Sequence, residues 1–185
     1  TPLLIPVYSL YFLANLLLYV IVVYYPELLK GFGVTSSFAI SLYLSALGVA
    51  GGISAYFYGR IKRRLDYRRL TAIAFALWTV GFAIATVAVA PWMAVAPVVL
   101  FGLGQGLVFP TVLLWIEELV PADRQGQFSS YVPMVGYVGQ FLSPILFGPF
   151  AGLLGVWAVF GSAAGLVAVG LVVATTSVLR ARPTR

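Results

Sequence analysis

Six stretches of this chain have the length and composition of membrane-crossing helices, and no Asp, Glu, Lys or Arg lies well inside any of them. They run over residues 3–25, 38–58, 70–90, 93–116, 128–150 and 153–178. A helix needs about 20 mostly apolar residues to cross the hydrocarbon core of a bilayer. In hydrocarbon every backbone N–H and C=O must be satisfied internally, so segments of this kind fold as helices. A soluble domain carries roughly 25% charged residues, whereas this chain carries 9%. These features predict an all-α membrane protein, with residues 1–185 forming one six-span bundle.

The charges that remain give the bundle an orientation. Six of the eleven Lys and Arg residues lie between Arg60 and Arg69. Lys and Arg accumulate in cytoplasmic loops, so residues 59–69 and 117–127 are expected inside, together with both termini. That arrangement places ten of the eleven basic residues on one side, with Lys30 alone opposite. The net charge of +6 then belongs to the membrane edge and its anionic lipid rather than to nucleic acid. A bacterial or archaeal cytoplasmic membrane is the expected setting. The sequence has no Cys and no His, so no disulfide, metal or other cofactor is expected. Hydrolysis inside the bilayer needs an activated nucleophile or a metal, and the absence of mid-span acids and lysines predicts that the chain is not an enzyme. Because it opens on Thr1-Pro2 rather than Met, it is expected to be trimmed or part of something longer.

Within the spans, the polar residues are few and patterned. Tyr8, Tyr11, Asn15 and Tyr19 in the first span follow i, i+3, i+7, i+11 and fall within an arc of about 80°. This stripe reads either as a helix-packing seam or as the wall of a solute cavity. The second span carries Tyr43 and the small residues Ser41, Ser45, Gly48, Gly51, Gly52 and Ser54, which permit close helix approach. The third and sixth spans read as lipid-facing, with Gly161 and Gly165 of the sixth available for packing. In the fourth span, Gly102, Gly104, Gly106 and Pro110 predict a thin, bendable helix. Its glycines do not make a nucleotide loop, which needs a preceding strand. Phe101, Gln105 and Phe109, at i, i+4, i+8, are expected on one face. The fifth span, with Pro133, Pro144 and Pro149, is not expected to be a rigid strut, and it carries Met134, Tyr137 and Gln140 near one another. The expected cavity lining is therefore Tyr8, Tyr11, Asn15, Tyr19, Tyr43, Phe101, Gln105, Phe109, Met134, Tyr137 and Gln140. Glu117 and Glu118, at the membrane edge, read as solvated caps or as a gate.

An internal repeat is visible. Glu27-Leu28-Leu29 matches Glu118-Leu119-Val120, and the same register pairs Gly48 with Gly139. Repeats three spans apart have opposite topology, the 3+3 inverted plan of several secondary transporters. The segment Gly52-x-x-x-Tyr56-Phe57-x-Gly59-Arg60-Ile61 resembles the loop signature of the major facilitator superfamily, Gly-x-x-x-Asp-Arg/Lys-x-Gly-Arg-Arg/Lys. Gly52, Gly59 and Arg60 match it. Tyr56, Phe57 and Ile61 depart from it, and Lys62 follows at once. Arg63 and Arg64 continue the basic run. The Gly-rich fourth span with the loop from Glu118 to Gly126 is similar to that family's tenth span and the loop after it.

The resemblance implies that this is the C-terminal six-helix half of a twelve-span carrier. Spans 1, 2, 4 and 5 would line a central cavity, and spans 3 and 6 would face lipid. It implies alternating access and pairing with an N-terminal six-span half, on the same or a separate chain, or with a second copy. Tyr56 cannot supply the charge with which the family's acid helps to latch a conformation. Aromatic walls with a few amides suit a small, largely uncharged or amphipathic solute, and drug exporters of the superfamily resemble this pattern. Proton-coupled efflux is the leading expectation, with the coupling carboxylates in the other half. A sugar or metabolite uptake carrier and a non-transporting six-span scaffold that dimerises are the alternatives.

Overall fold

The computed structural model describes residues 4–180. Its helices are α1 (Leu4–Gly31), α2 (Ser37–Lys62), α3 (Tyr67–Val87), α4 (Val95–Leu119), α5 (Gln125–Leu154) and α6 (Val156–Arg180). Short 3-10 turns at Pro91–Ala94 and Ala122–Arg124 precede α4 and α5. All six helices are long and apolar enough to cross a membrane, and no strand is present among the described residues. Residues 1–3 and the tail arginines Arg182 and Arg185 lie outside the described residues.

Three boundaries differ from the sequence expectation. The first helix continues through Pro26 to Gly31, since one proline removes one donor without ending the helix. The basic segment 59–69 is mostly helical: α2 runs to Lys62 and α3 begins at Tyr67. The Asp66 carboxylate caps α3 by accepting from the Arg69 N–H at 2.8 Å, which satisfies one of the four orphan donors of a helix N-terminus. The turn between the last two helices lies at Gly155 rather than near Gly152. Gly155 has φ +85°, a left-handed conformation that glycine adopts without steric cost.

The closest partnerships are α1 with α5 and α2 with α4, while α3 packs on both α4 and α6. The glycines of α4 explain how α2 comes so near. A Cβ on Gly102 or Gly106 would collide with the backbone carbonyl of Leu47 or Gly51. On the opposite side, Gly104 leaves room for the indole of Trp78. These glycines thin α4 on two sides, and the helix runs unbroken through Pro110. Likewise α5 is one helix through Pro133, Pro144 and Pro149. The α2–α4 seam is tied further by Ser54 Oγ donating to Leu103 O at 2.7 Å and by Tyr58 and Thr111 hydroxyls 3.1 Å apart.

The third span is not simply lipid-facing. Trp78 and Phe82 are completely buried between α3, α4 and α6. Trp78 Nε1 donates to Phe101 O at 3.0 Å, and its ring stacks on Phe101 with centroids 5.1 Å apart. At the other end of the bundle, the buried Tyr25 hydroxyl donates to Ala94 O at 2.6 Å. Tyr25→Phe is expected to cost ~1 kcal/mol, because a buried carbonyl loses its donor. In a chain of this size that lowers the thermal midpoint by about 2–4 °C, measurable by circular dichroism in detergent.

The membrane-spanning parts of α1 and α4 are 44% buried residues, against 17% for α2 and α5. So α1 and α4 form the centre, and α2 and α5 flank it with one bare face each. Leu42, Val49, Ile53 and Tyr56 stand out along α2, and Met134, Tyr137, Phe141 and Ile145 along α5. Each set recurs at steps of three, four or seven residues, which is one stripe per helix.

Candidate functional site

The polar stripe of α1 points at the junction of α4 and α5. The Asn15 amide is 4% exposed. Its Nδ2 donates to Tyr11 O at 3.0 Å, and its Oδ1 accepts from Gln140 Nε2 at 2.8 Å. This pair satisfies two amides in a place where an unpaired one costs several kcal/mol. Glycines on α5 make it possible: Gly136 lies against Tyr11 and Asn15, and Gly139 against the Phe12 carbonyl. Without side chains at those positions, α5 closes on α1 and delivers Gln140 to Asn15.

Aromatic rings lie on one side of the pair. Tyr11 and Phe109 have ring centroids 6.2 Å apart. Phe109 is 49% exposed, Met134 58% and Tyr137 67%, so each offers a face to a solute or a second half. Gln105 lies one turn from Phe109, as Asn15 lies one turn from Tyr11 along the oppositely directed α1, so the two amides share a level. The Gln105 Oε1 is buried and has no partner among the described residues. No group of His, Cys, Asp or Glu able to hold a metal is present among them.

Four of the expected lining residues stand differently. Phe101 is buried at 1% exposure against Trp78 and Phe82 and does not reach this face. Steps of four residues drift by about 40° each, so Phe101 and Phe109 diverge by roughly 80° and α4 turns Phe101 toward α3. Tyr8 ties helices together, its hydroxyl donating to Phe128 O of α5 at 2.8 Å. Tyr43 packs half-buried against the core. Tyr19 is half-buried one turn beyond Asn15.

The loop residues stand apart from this site, at the basic end. Gly52 and Gly59 have open space where a Cβ would be. The Arg60 guanidinium lies 5.7 Å from the centre of the Phe57 ring, and Tyr56 is exposed. Arg63 is the C-cap of α2, and Arg64 is exposed. Sequence reasoning missed the tie beside them. Tyr67 donates its hydroxyl to Glu118, stacks on Trp115 with centroids 5.3 Å apart, and carries the Lys62 ammonium 3.7 Å from its ring centre. An aromatic residue opening one span and an acid closing the next were its only signals, and they meet only once α3 lies against α4.

Six apolar helices in this arrangement match a known family. The model of the Major Facilitator Superfamily matches residues 7–185. The chain belongs to that superfamily. Among its relatives is the uncharacterised MFS-type transporter YhhS of Escherichia coli K12, 34% identical over 170 residues, covering 83% of this chain and 40% of that protein. YhhS of Salmonella typhimurium LT2 matches to the same extent. The chain thus spans about 40% of the length of the curated relatives it matches. Among solved structures, a mutant peptide transporter POT in complex with sulfate superposes with a TM-score of 0.75 at 23% identity, covering 94% of this chain and 37% of that one. That likeness concerns the fold. The chain is therefore an integral, multi-pass membrane protein of the superfamily, with the six helices of a half-size unit.

Proposed function

We propose that this chain forms one half of a secondary transporter that carries a small, largely uncharged or amphipathic solute by alternating access. The observation that carries the reading is the Asn15–Gln140 amide pair, with Asn15 buried beside Tyr11, whose ring meets Phe109, on helices with no charged side chain well inside the spans. Few polar groups in an apolar, aromatic setting are what a ligand site of this class needs. The bare stripes of α2 and α5 flank it, where an N-terminal six-helix half would close the cavity. The basic end lies in the cytoplasm of a bacterial or archaeal cell, and the direction is export driven by protons whose carboxylates belong to the other half.

The test uses the full-length carrier in proteoliposomes with an imposed pH gradient and a weakly polar fluorescent dye as solute. Gradient-dependent dye movement is expected, with Phe109→Ala raising KM several-fold and leaving thermal stability in place, since Phe109 is half exposed. Movement of labelled glucose in place of the dye would favour sugar uptake. Movement of neither would leave a membrane scaffold.

A further inference from the structure

Two hollows meet at the basic end of the bundle, on the far side of α1 from the amide pair. The inner one, about 300 Å³, is a wedge between α1, α3 and α6 walled by Leu10, Phe75, Val173 and Ala174. The outer one, about 470 Å³, opens beside Asp66 and Leu119. Pro6, Arg68, Trp115 and Ser177 border both and form the neck. Arg68 is exposed, and its Nη1 donates to Ser177 O at 3.0 Å, which holds the guanidinium at that neck. The nearby acid is engaged, because Asp66 caps α3.

We propose that this double hollow binds one anionic phospholipid, with an acyl chain in the inner wedge and the phosphate on Arg68. The chemistry divides as such a ligand divides. The wedge is walled mainly by apolar side chains, with Val173 exposed at its rim, so an acyl chain enters it from the surrounding hydrocarbon without leaving an apolar medium. A guanidinium presents a fork of N–H donors suited to a phosphate. Lys62, Arg63, Arg64 and Arg69 lie around the same end of the bundle, so the local field favours an anionic headgroup over a zwitterionic one. A free phosphate would use only the outer hollow and leave the wedge empty.

Native mass spectrometry of the full-length carrier, stripped of lipid and titrated with phosphatidylglycerol or phosphatidylcholine, tests this. Wild type is expected to retain one tightly held phosphatidylglycerol in preference to phosphatidylcholine. Arg68→Gln should weaken that lipid about fivefold, the equivalent of ~1 kcal/mol for one basic residue at an anionic surface, and weaken phosphatidylcholine less, because its choline cation offsets the charge of the phosphate. Val173→Trp fills the wedge from a position 63% exposed, so the fold should survive while both lipids lose the site. Equal retention of the two lipids by wild type would overturn the proposal. So would full retention by Val173→Trp, or displacement of the lipid by inorganic phosphate alone.

Discussion

Gly106→Leu is expected to destabilise the bundle strongly by forcing α2 away from α4. Its new side chain would have to occupy the space now held by the Gly51 carbonyl and Ser54 Cβ of α2. Overpacking a well-filled interior costs about 1–3 kcal/mol, and the upper end applies where the obstacle is backbone and cannot swing aside. Separation of the helices would also stretch the Ser54–Leu103 hydrogen bond two turns of the seam depend on. A fall of roughly 6–12 °C in the thermal midpoint follows for a chain of this length. Gly48→Leu is the control. Nothing lies within 4 Å of a Cβ at Gly48, so this chain should melt at an unchanged temperature. Equal melting of the two variants would mean that α2 and α4 are not joined by backbone contact.

The second large effect concerns transport. Asn15→Leu leaves Gln140 Nε2 without its acceptor and removes the polar floor of the proposed cavity. At least a tenfold loss of kcat/KM in the full-length carrier is expected, about 1.4 kcal/mol of lost transition-state binding. Stability should fall by less, since side-chain hydrogen bonds between membrane helices average ~0.6 kcal/mol and reach ~1.7. The double variant Asn15→Leu with Gln140→Leu separates the two roles. Removing both amides leaves no orphan, so stability should recover, whereas transport should not. Recovery of both would reduce the pair to a packing device and sink the cavity assignment.

The sequence made the local features legible and left the partnerships obscure. The six helices and the cluster of basic residues follow from patterns along one helix at a time, and of the stripe Tyr8, Tyr11, Asn15 and Tyr19 only Tyr11 and Asn15 meet groups of the α4–α5 junction in the way a cavity wall would. Trp78 shows the limit. The third span reads as lipid-facing as a whole, yet Trp78 is buried, because the interior of a membrane bundle is as apolar as the lipid around it and hydropathy does not say which face is inside. Phe101 shows another, because a spacing of four residues shares a face only over a short reach. The tie between Tyr67 and Glu118 and the seam between Gly51 and Gly106 depend on which helices are neighbours, and no single-helix pattern encodes that. The sequence implies close approach from the glycines of α2 and a thin, bendable helix from those of α4, without naming the partner of either. Their use is contact, which becomes evident only when the opposing carbonyl is located.

The six helices are unequal in length, and a bilayer will act on them unequally. The 21 residues of α3 rise ~31 Å, which matches a hydrocarbon core of about 30 Å with nothing to spare. The 30 residues of α5 rise ~45 Å, so this helix leans or projects. When the membrane thickens, α5 can stand more upright, while α3 must draw the surrounding lipid thinner at a cost of fractions of a kcal/mol per Å. Locked between α4 and α6, α3 is the ruler of the bundle, and a change in lipid chain length is felt first there.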